Sequence, residues 1–395
     1  MPTLSGKEIL EDLRWRGLLA QSTDEAELIK SFDEGRVTAY IGFDPTAPSL
    51  HVGNLVALLV LRRLQLAGHR PIGLVGGSTG LVGDPSGRSS ERTLNETELV
   101  EEWVAKIRRQ VERFLDFSDI PNAAIIANNF DWTKDVPVLS FLRDVGKYFS
   151  VNQMISKDSV SSRMESGGIS YTEFSYQILQ AFDYLELFRL YGCTLQMGGS
   201  DQWGNITAGL DLIRKVEQVS AHALTVPLLT KSDGTKFGKT ASGSVWLDAD
   251  LTSPYAFYQY WISTDDRDVV SFLKIFTFLT RPEIQEIEES HQQTPERRIA
   301  QTRLARELTT LVHGEDACKH VEAASQALFG RGDLSSLDSA TLAAALSQVP
   351  QTSVEGNAPW GSLADLMAAT GIVESKSAAR RAIKEGGAYL NNAKI

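Results

Sequence analysis

The chain has 395 residues, of which 42% are hydrophobic and 23% charged, with a net charge of −11 and two cysteines. That length predicts two or three domains with ordinary soluble cores, and the acidic balance disfavours non-specific binding of nucleic acid, so any such contact needs a local basic patch. Cys193 and Cys318 alone make neither a disulfide framework nor a zinc set, no apolar run of about 20 residues marks a membrane span, and the polar start Met1–Glu8 lacks an export signal; a reducing cytoplasm is expected.

A short β-branched and aromatic run, Val37–Phe43, ends in Asp44-Pro45 and predicts a strand and turn. Gly53–Ala67 carries Leu55, Leu58, Leu59, Leu61, Leu64 and Leu66, stopped by Gly68, and predicts a buried helix. Pro71–Val75 is the next strand, and this strand–helix–strand unit is what a parallel α/β sheet is built from. Asn95 with Glu98 reads as an N-cap and its capping partner before a helix bearing Val100, Trp103, Ile107 and Val111. Leu195–Met197 is a further strand, followed by Gly198-Gly199-Ser200-Asp201. Beyond about residue 250 the pattern is helical, with Ser253–Phe278 and Pro282–His313 expected to run unbroken. Ser347–Gly361 reads as a linker. From Val373 to Ile395 there are five Lys/Arg (Lys376, Arg380, Arg381, Lys384, Lys394) against Glu374 and Glu385, a basic end to an acidic chain.

Three constellations carry chemistry. His51-Val52-Gly53-Asn54 opens the first long helix, where unpaired N–H groups favour phosphate, Gly53 leaves room for a nucleotide, and Thr46 adds a hydroxyl. Lys231–Thr240 nearly fits a P-loop, but only three residues separate Gly234 from Gly238-Lys239-Thr240, one short of the requirement. Its glycine-flanked Lys236 and Lys239 suit instead a loop closing over a leaving polyphosphate. Tyr176, Gln180 and Asp183 share one face of a helix, with Phe174, Ile178, Phe182 and Leu185 opposite; a polar stripe flanked by Leu179 and Leu187 suits a pocket wall.

With these motifs in order, the chain resembles the bacterial tyrosyl-tRNA synthetase family, class I aminoacyl-tRNA synthetases, from about Val37 to the end. The resemblance rests on Tyr40–Ala47, Gly80–Ser86, Phe141–Lys147, Gly198–Asn205 and Asp233–Thr240. His51–Asn54 matches the family's His-Ile-Gly-His signature and Lys236–Thr240 its Lys-Met-Ser-Lys-Ser signature. It implies an α/β fold: a Rossmann-like parallel-sheet catalytic domain over residues 37–247 after a helical lead-in (1–36). An all-helical anticodon-stem domain (248–346), the linker (347–361) and a small S4-like α+β tail (362–395), apparently incomplete, would follow.

The implied reaction joins L-tyrosine to tRNA(Tyr) through tyrosyl-adenylate, with ATP as substrate and Mg²⁺ accompanying it, no tightly bound cofactor and no protein metal site. Tyr40 and Asp183 would hold the phenol, and Tyr176, Gln180, Asp84 and Gln202 the rest of the amino acid. Gly42, Asp44, Thr46, His51, Gly53, Asn54 and Asp201 would meet ATP, and Lys236, Lys239 and Thr240 the pyrophosphate, with Arg88 and Arg92 as helpers. Lys157, Arg214, Lys215, Lys376, Arg380 and Arg381 would contact tRNA. Asn54 stands where the family usually has a second histidine, and an amide cannot become cationic, so altered ATP contacts are expected. A homodimer joined around Asp131–Arg163 is also implied. The rival classes are another adenylate-forming nucleotidyltransferase, such as a tryptophan enzyme, and a non-catalytic RNA-binding protein on the same scaffold.

Overall fold

The computed structural model describes residues 3–86, 95–235, 237–240, 243–328, 337, 339–346, 352 and 361–395. Lys236, Arg88, Arg92 and nearly all of the expected linker lie outside them. Two compact units emerge, one of Met1–Asp248 with Asp265–Gln292, the other of Ala249–Thr264 with Gln293–Ile395.

The first unit is built on a six-stranded sheet. Its strands are β1 (Gln21–Ser22), β2 (Thr38–Phe43), β3 (Arg70–Val75), β4 (Ile125–Asn128), β5 (Cys193–Gly199) and β6 (His222–Val226), in the order β1-β6-β5-β2-β3-β4. Every pairing from β6 to β4 is parallel, and β1 joins β6 antiparallel at the edge. Parallel strands are covered on both faces, which is why β3 and β6 are buried almost throughout. The chain runs outward from β2 through β3 to β4, then returns to the other side of β2 for β5 and β6. Strand order therefore reverses between β2 and β5, and the crevice beyond their carboxyl ends is where such sheets bind ligands.

Helix Val52–Leu66 follows β2 and buries Leu55, Leu58, Leu59, Leu61 and Leu64, as its leucine spacing requires. Helix Tyr171–Tyr191 packs with helix Trp203–Glu217 beside β5. Its Ala181, Phe182, Tyr184, Leu185 and Leu187 join Tyr40, Ile72 and Leu74 of the sheet in one apolar cluster.

Three sequence expectations change. The helix expected after Asn95 begins at Thr97, with Glu96 at the N-cap and no side-chain cap bond, so Asn95 and Glu98 form no capping box; Glu98 sits in the first turn, where its charge still favours the helix dipole. Ser253–Phe278 is two helices, Pro254–Ile262 and Val269–Phe276, because Asp265 turns the chain by accepting the Arg267 N–H at 2.9 Å. Pro282–His313 is likewise interrupted: Pro295 opens a 3₁₀ turn and Arg298 is left-handed at φ 52° before helix Ile299–His313.

The first of these breaks lets Asp265–Gln292 return to the first unit. There the buried Arg16 guanidinium donates to the carbonyls of Lys274, Thr277 and Leu279, at 3.0, 3.3 and 3.0 Å. The second unit is helical, with Trp261 and Phe257 fully buried in ring contact. It ends in helices Leu363–Ala369 and Lys376–Lys384 and a hairpin of Tyr389–Leu390 with Ala393–Lys394. Asn391 and Asn392 turn that hairpin at φ 48° and 65°, the two left-handed positions a tight hairpin demands.

Candidate active site at the carboxyl edge of the sheet

The crevice at the strand reversal collects expected and unexpected residues from four strand ends. Asp44 follows β2, Thr79 opens the short helix after β3, Asn129 follows β4, and Asp201 and Gln202 follow β5. Helix Tyr171–Tyr191 adds Tyr176, Gln180 and Asp183 from the side.

Two hydrogen-bonded chains run through them. In the first, the Tyr176 hydroxyl donates to Asp44 Oδ2 at 2.7 Å and the Thr79 hydroxyl to Asp44 Oδ1 at 2.6 Å. Asn129 Nδ2 then donates to Thr79 Oγ1 at 3.0 Å and to Asp183 Oδ2 at 2.9 Å, and Trp132 Nε1 to Asp183 Oδ1 at 3.0 Å. Gly76 permits this packing, since a Cβ there would stand 2.1 Å from Asp44 Oδ1. In the second chain, Gln202 Nε2 donates to Asp84 Oδ2 at 2.7 Å, and Asn205 Nδ2 to Gln180 Oε1 at 3.1 Å and Gln202 Oε1 at 3.3 Å. Asp44 therefore serves Tyr176 in addition to its expected place near ATP. Thr79, Asn129, Trp132 and Asn205 are site residues that no motif announced; their only sequence signal is that three of them lie at or just beyond a strand's carboxyl end.

The electrostatics follow from burial. Asp183 is buried, and desolvation pushes its pKa up to about 7 against the opposing bonds from Asn129 and Trp132. The Tyr40 hydroxyl, in β2, is buried without a hydrogen-bond partner among the described residues, and desolvation together with the Asp183 charge holds its pKa well above the usual tyrosine value. Burial and the charges of Asp44, Asp84 and Asp183 do the same for Tyr176. Asp201 is raised by burial and by Asp84. A cluster of several carboxylates with a buried hydroxyl suits a ligand that brings a cation and a hydrogen-bonding hydroxyl.

The two distant motifs meet. His51 is the N-cap of helix Val52–Leu66: its Nδ1 accepts the Gly53 N–H at 3.0 Å, and Asn54 Oδ1 accepts the His51 N–H at 3.1 Å. The neutral ring therefore carries its proton on Nε2. Burial lowers the His51 pKa, and Lys239 adds to that. The loop reaches this helix start, since a Cβ on Gly238 would lie 2.9 Å from Val52 Cγ2. Val245 N–H donates to Gly238 O at 3.1 Å, and Val52 N–H to Val245 O at 3.0 Å. Lys239 is exposed in a two-residue strand paired with Gly243–Ser244. A Cβ on Gly53 would stand 2.7 Å from the His51 ring, so the glycine also gives that ring its place. Gly42 and Thr46 are exposed at the end of β2 and in the turn after it.

Of the residues expected at tRNA, Lys157 Nζ donates to Thr207 Oγ1 at 3.2 Å, and Arg214 and Lys215 pair with Asp211 at 2.6 and 3.0 Å. Lys157, Thr207, Asp211 and Lys215 line a cavity of about 460 Å³ whose lining includes none of the Tyr40–Asp183 pocket residues. In the second unit, Lys376, Arg380 and Arg381 are exposed on helix Lys376–Lys384, and Lys376 pairs with Asp365 at 2.7 Å.

With a helix-start histidine facing a lysine loop across the end of a reversed parallel sheet, comparison with known proteins is decisive. The description "tRNA synthetases class I (W and Y)" matches residues 33–330. The chain belongs to that family. Within these class I synthetases, the chain is 60% identical to a tyrosine–tRNA ligase of Streptomyces avermitilis over 390 residues, 98% of this chain and 91% of that protein. It is 56% identical to the tyrosine–tRNA ligase of Thermobifida fusca over 398 residues, 98% and 92% of the two chains. The crystal structure of a C-terminally truncated Aspergillus nidulans mitochondrial tyrosyl-tRNA synthetase superposes with a TM-score of 0.74 at 34% identity, covering 82% of this chain and 97% of that one.

Proposed function

We propose that this synthetase is a tyrosine–tRNA ligase. The observation that carries the reading is the buried Tyr40 hydroxyl without a partner, set beside the Asp183 carboxylate. A buried donor left unpaired costs about 1–3 kcal/mol, and a ligand with a phenolic hydroxyl relieves it. Tryptophan, the family's other amino acid, has no hydroxyl to offer there.

In the first step the tyrosine carboxylate, already ionised at neutral pH, attacks the α-phosphorus of ATP, and pyrophosphate leaves. No general base is needed, so catalysis is positioning and stabilisation of charge growing on phosphate oxygens. His51 offers its Nε2–H to those oxygens, Gly53 and Asn54 form the helix start beneath it, Lys236 and Lys239 neutralise the leaving pyrophosphate, and Thr240 offers it a hydroxyl. Thr46, Gly42, Asp44 and Asp201 flank the nucleotide, and Mg²⁺ arrives as part of the ATP substrate. Asp84, Gln180, Gln202 and Tyr176 surround the ammonium group, which the local carboxylates favour. In the second step the 3′-terminal ribose hydroxyl of tRNA(Tyr) attacks the adenylate carbonyl and AMP leaves.

The helical second unit would take the anticodon stem, with Lys376, Arg380 and Arg381 on tRNA phosphates and Lys157, Arg214 and Lys215 near the acceptor end. Val138, Leu139 and Val151 are 69%, 77% and 57% exposed, apolar surface that supports a homodimer through Asp131–Arg163. No helix among the described residues is long and apolar enough to cross a membrane, and the protein would work in the cytoplasm.

The test is ATP–pyrophosphate exchange with each of the twenty amino acids. Exchange driven by tyrosine is expected. Exchange driven by tryptophan would reassign the pocket, and none with any amino acid would leave a binding protein.

A further inference from the structure

Helix Val269–Phe276 opens on Asp268 at the N-cap position. An aspartate there ordinarily accepts N–H groups of its own first turn. Asp268 makes no such bond. Both its carboxylate oxygens instead accept the Ser232 N–H, at 3.1 Å each, and Oδ2 also accepts the Ser232 hydroxyl at 3.1 Å. Ser232 stands at the entry of the lysine loop.

The same helix takes the loop again further on. Phe237, between the two lysines, stacks on Phe276 at 5.2 Å and 22° and meets Phe272 edge-on at 5.1 Å. The far end of the helix is fixed by Arg16, as described, and by Arg63, whose guanidinium donates to Thr277 O and lies 4.7 Å over the Phe278 ring. Arg63 belongs to helix Val52–Leu66, the helix that His51 caps. The loop thus touches the start of one helix at Gly238 and rests along a second that the first helix holds in place.

We propose that Asp268 is a positioning residue for the lysine loop: its carboxylate holds Ser232 instead of capping its own helix, and so sets Lys239 beside His51. This rests on the reading that the loop's lysines act on the triphosphate. The arrangement also makes release cheap. When Ser232 leaves, the carboxylate turns back to the first-turn N–H groups of Val270 and Ser271, and a cap bond replaces the loop bond.

The test uses the full chain and four variants, Asp268→Ala, Asp268→Asn, Ser232→Ala and the double variant Asp268→Ala with Ser232→Ala. Tyrosine-dependent pyrophosphate exchange by the unmodified protein comes first; its absence refutes the underlying reading, and this proposal with it. Given exchange, Asp268→Ala slows single-turnover adenylate formation roughly tenfold with tyrosine affinity unchanged, because misplacement of a charge-bearing loop acts on the transition state. Ser232→Ala, which cannot affect the helix's own stability, slows it about twofold. Asp268→Asn falls between, since its amide oxygen still accepts. The double variant is no slower than Asp268→Ala alone, as expected for two halves of one contact. Trypsin cuts at Lys231 and Lys236 faster in Asp268→Ala. A lower melting temperature with normal adenylation rate and normal cleavage, or losses that multiply independently in the double variant, overturns the proposal and leaves Asp268 a structural residue.

Discussion

Asp183 is asked to do two opposed things. Burial favours its neutral form, with a pKa near 7, while the proposed contact with a phenol needs the carboxylate. Below the ordinary carboxyl range both folded and unfolded chains carry the proton, and Asp183 has no net effect. As pH rises toward 7 the unfolded chain ionises first, so stability falls, and the full cost is present above 7. Asp183→Asn turns its NH₂ toward the Asn129 or the Trp132 N–H at any pH, so its melting temperature relative to the unmodified protein is expected to be higher at pH 8 than at pH 4, while tyrosine activation and discrimination against phenylalanine collapse. Tyrosyl-tRNA synthetase is the standard worked case of such discrimination, at about 10⁵, so that size is not an inference from this structure. Thermal melts at the two pH values and exchange kinetics with both amino acids decide it. The pH dependence of substrate binding has the same origin: tyrosine affinity should weaken as pH falls below about 7, where Asp183 takes up its proton. Trp132→Phe removes a bond that lowers this pKa, so the affinity profile should shift to higher pH and tyrosine KM rise. A profile that stays flat from pH 5.5 to 8, or one that Trp132→Phe leaves in place, removes Asp183 from the phenol site.

At the level of elements, the informative piece is the start of helix Val52–Leu66. Alanine for glycine inside a helix ordinarily stabilises by about 1 kcal/mol. At Gly53 the added methyl would stand 2.7 Å from His51 Cε1 and 2.9 Å from Nδ1, so the ring must turn away. The cap bond then breaks, and the Nε2–H loses its direction. Gly53→Ala should keep the fold and tyrosine affinity but slow adenylate formation by about tenfold or more. Stopped-flow beside equilibrium tyrosine binding checks this, and an unchanged rate would mean His51 does not face the phosphates. This helix and its flanking strands were legible in the sequence because buried elements read as apolar runs with sharp ends. The short ones were not. β1 has two residues and no pattern of its own, and exists because it pairs with β6. The breaks at Ser263–Asp268 and at Arg298 lie inside chain with enough helical residues to mask them. In the site, Tyr176 and Asp183 stood out by their spacing on one helix, whereas Asn129 is the second of two adjacent asparagines and Trp132 a single indole, both just past the end of a strand the sequence did not mark. Only their bonds to Asp183 give them meaning.

For the whole molecule, the question is how a chain of net charge −11 holds a polyanion. The proposed basic residues form two groups, one in each unit. Lys157, Arg214 and Lys215 are already engaged with Thr207 and Asp211. Lys376 is paired with Asp365, but that pair is well exposed and of the kind worth about 0–1 kcal/mol, so RNA phosphate can displace it. Every residue proposed for adenylation lies in the first unit, whereas Lys376, Arg380 and Arg381 lie in the second. Removing the tail altogether would strip helices from the second unit's own cluster, so substitution is the cleaner probe. The triple variant Lys376→Ala, Arg380→Ala, Arg381→Ala should leave tyrosine-dependent pyrophosphate exchange intact and weaken tRNA charging. Each phosphate that is no longer neutralised takes about 0.7–0.9 from the slope of log affinity against log salt, so the three substitutions flatten it by roughly 2 to 3. Charging at several salt concentrations measures this directly. A triple variant that charges tRNA like the unmodified protein at every salt concentration would show that this helix faces away from RNA and that the anionic substrate is held by the first unit alone.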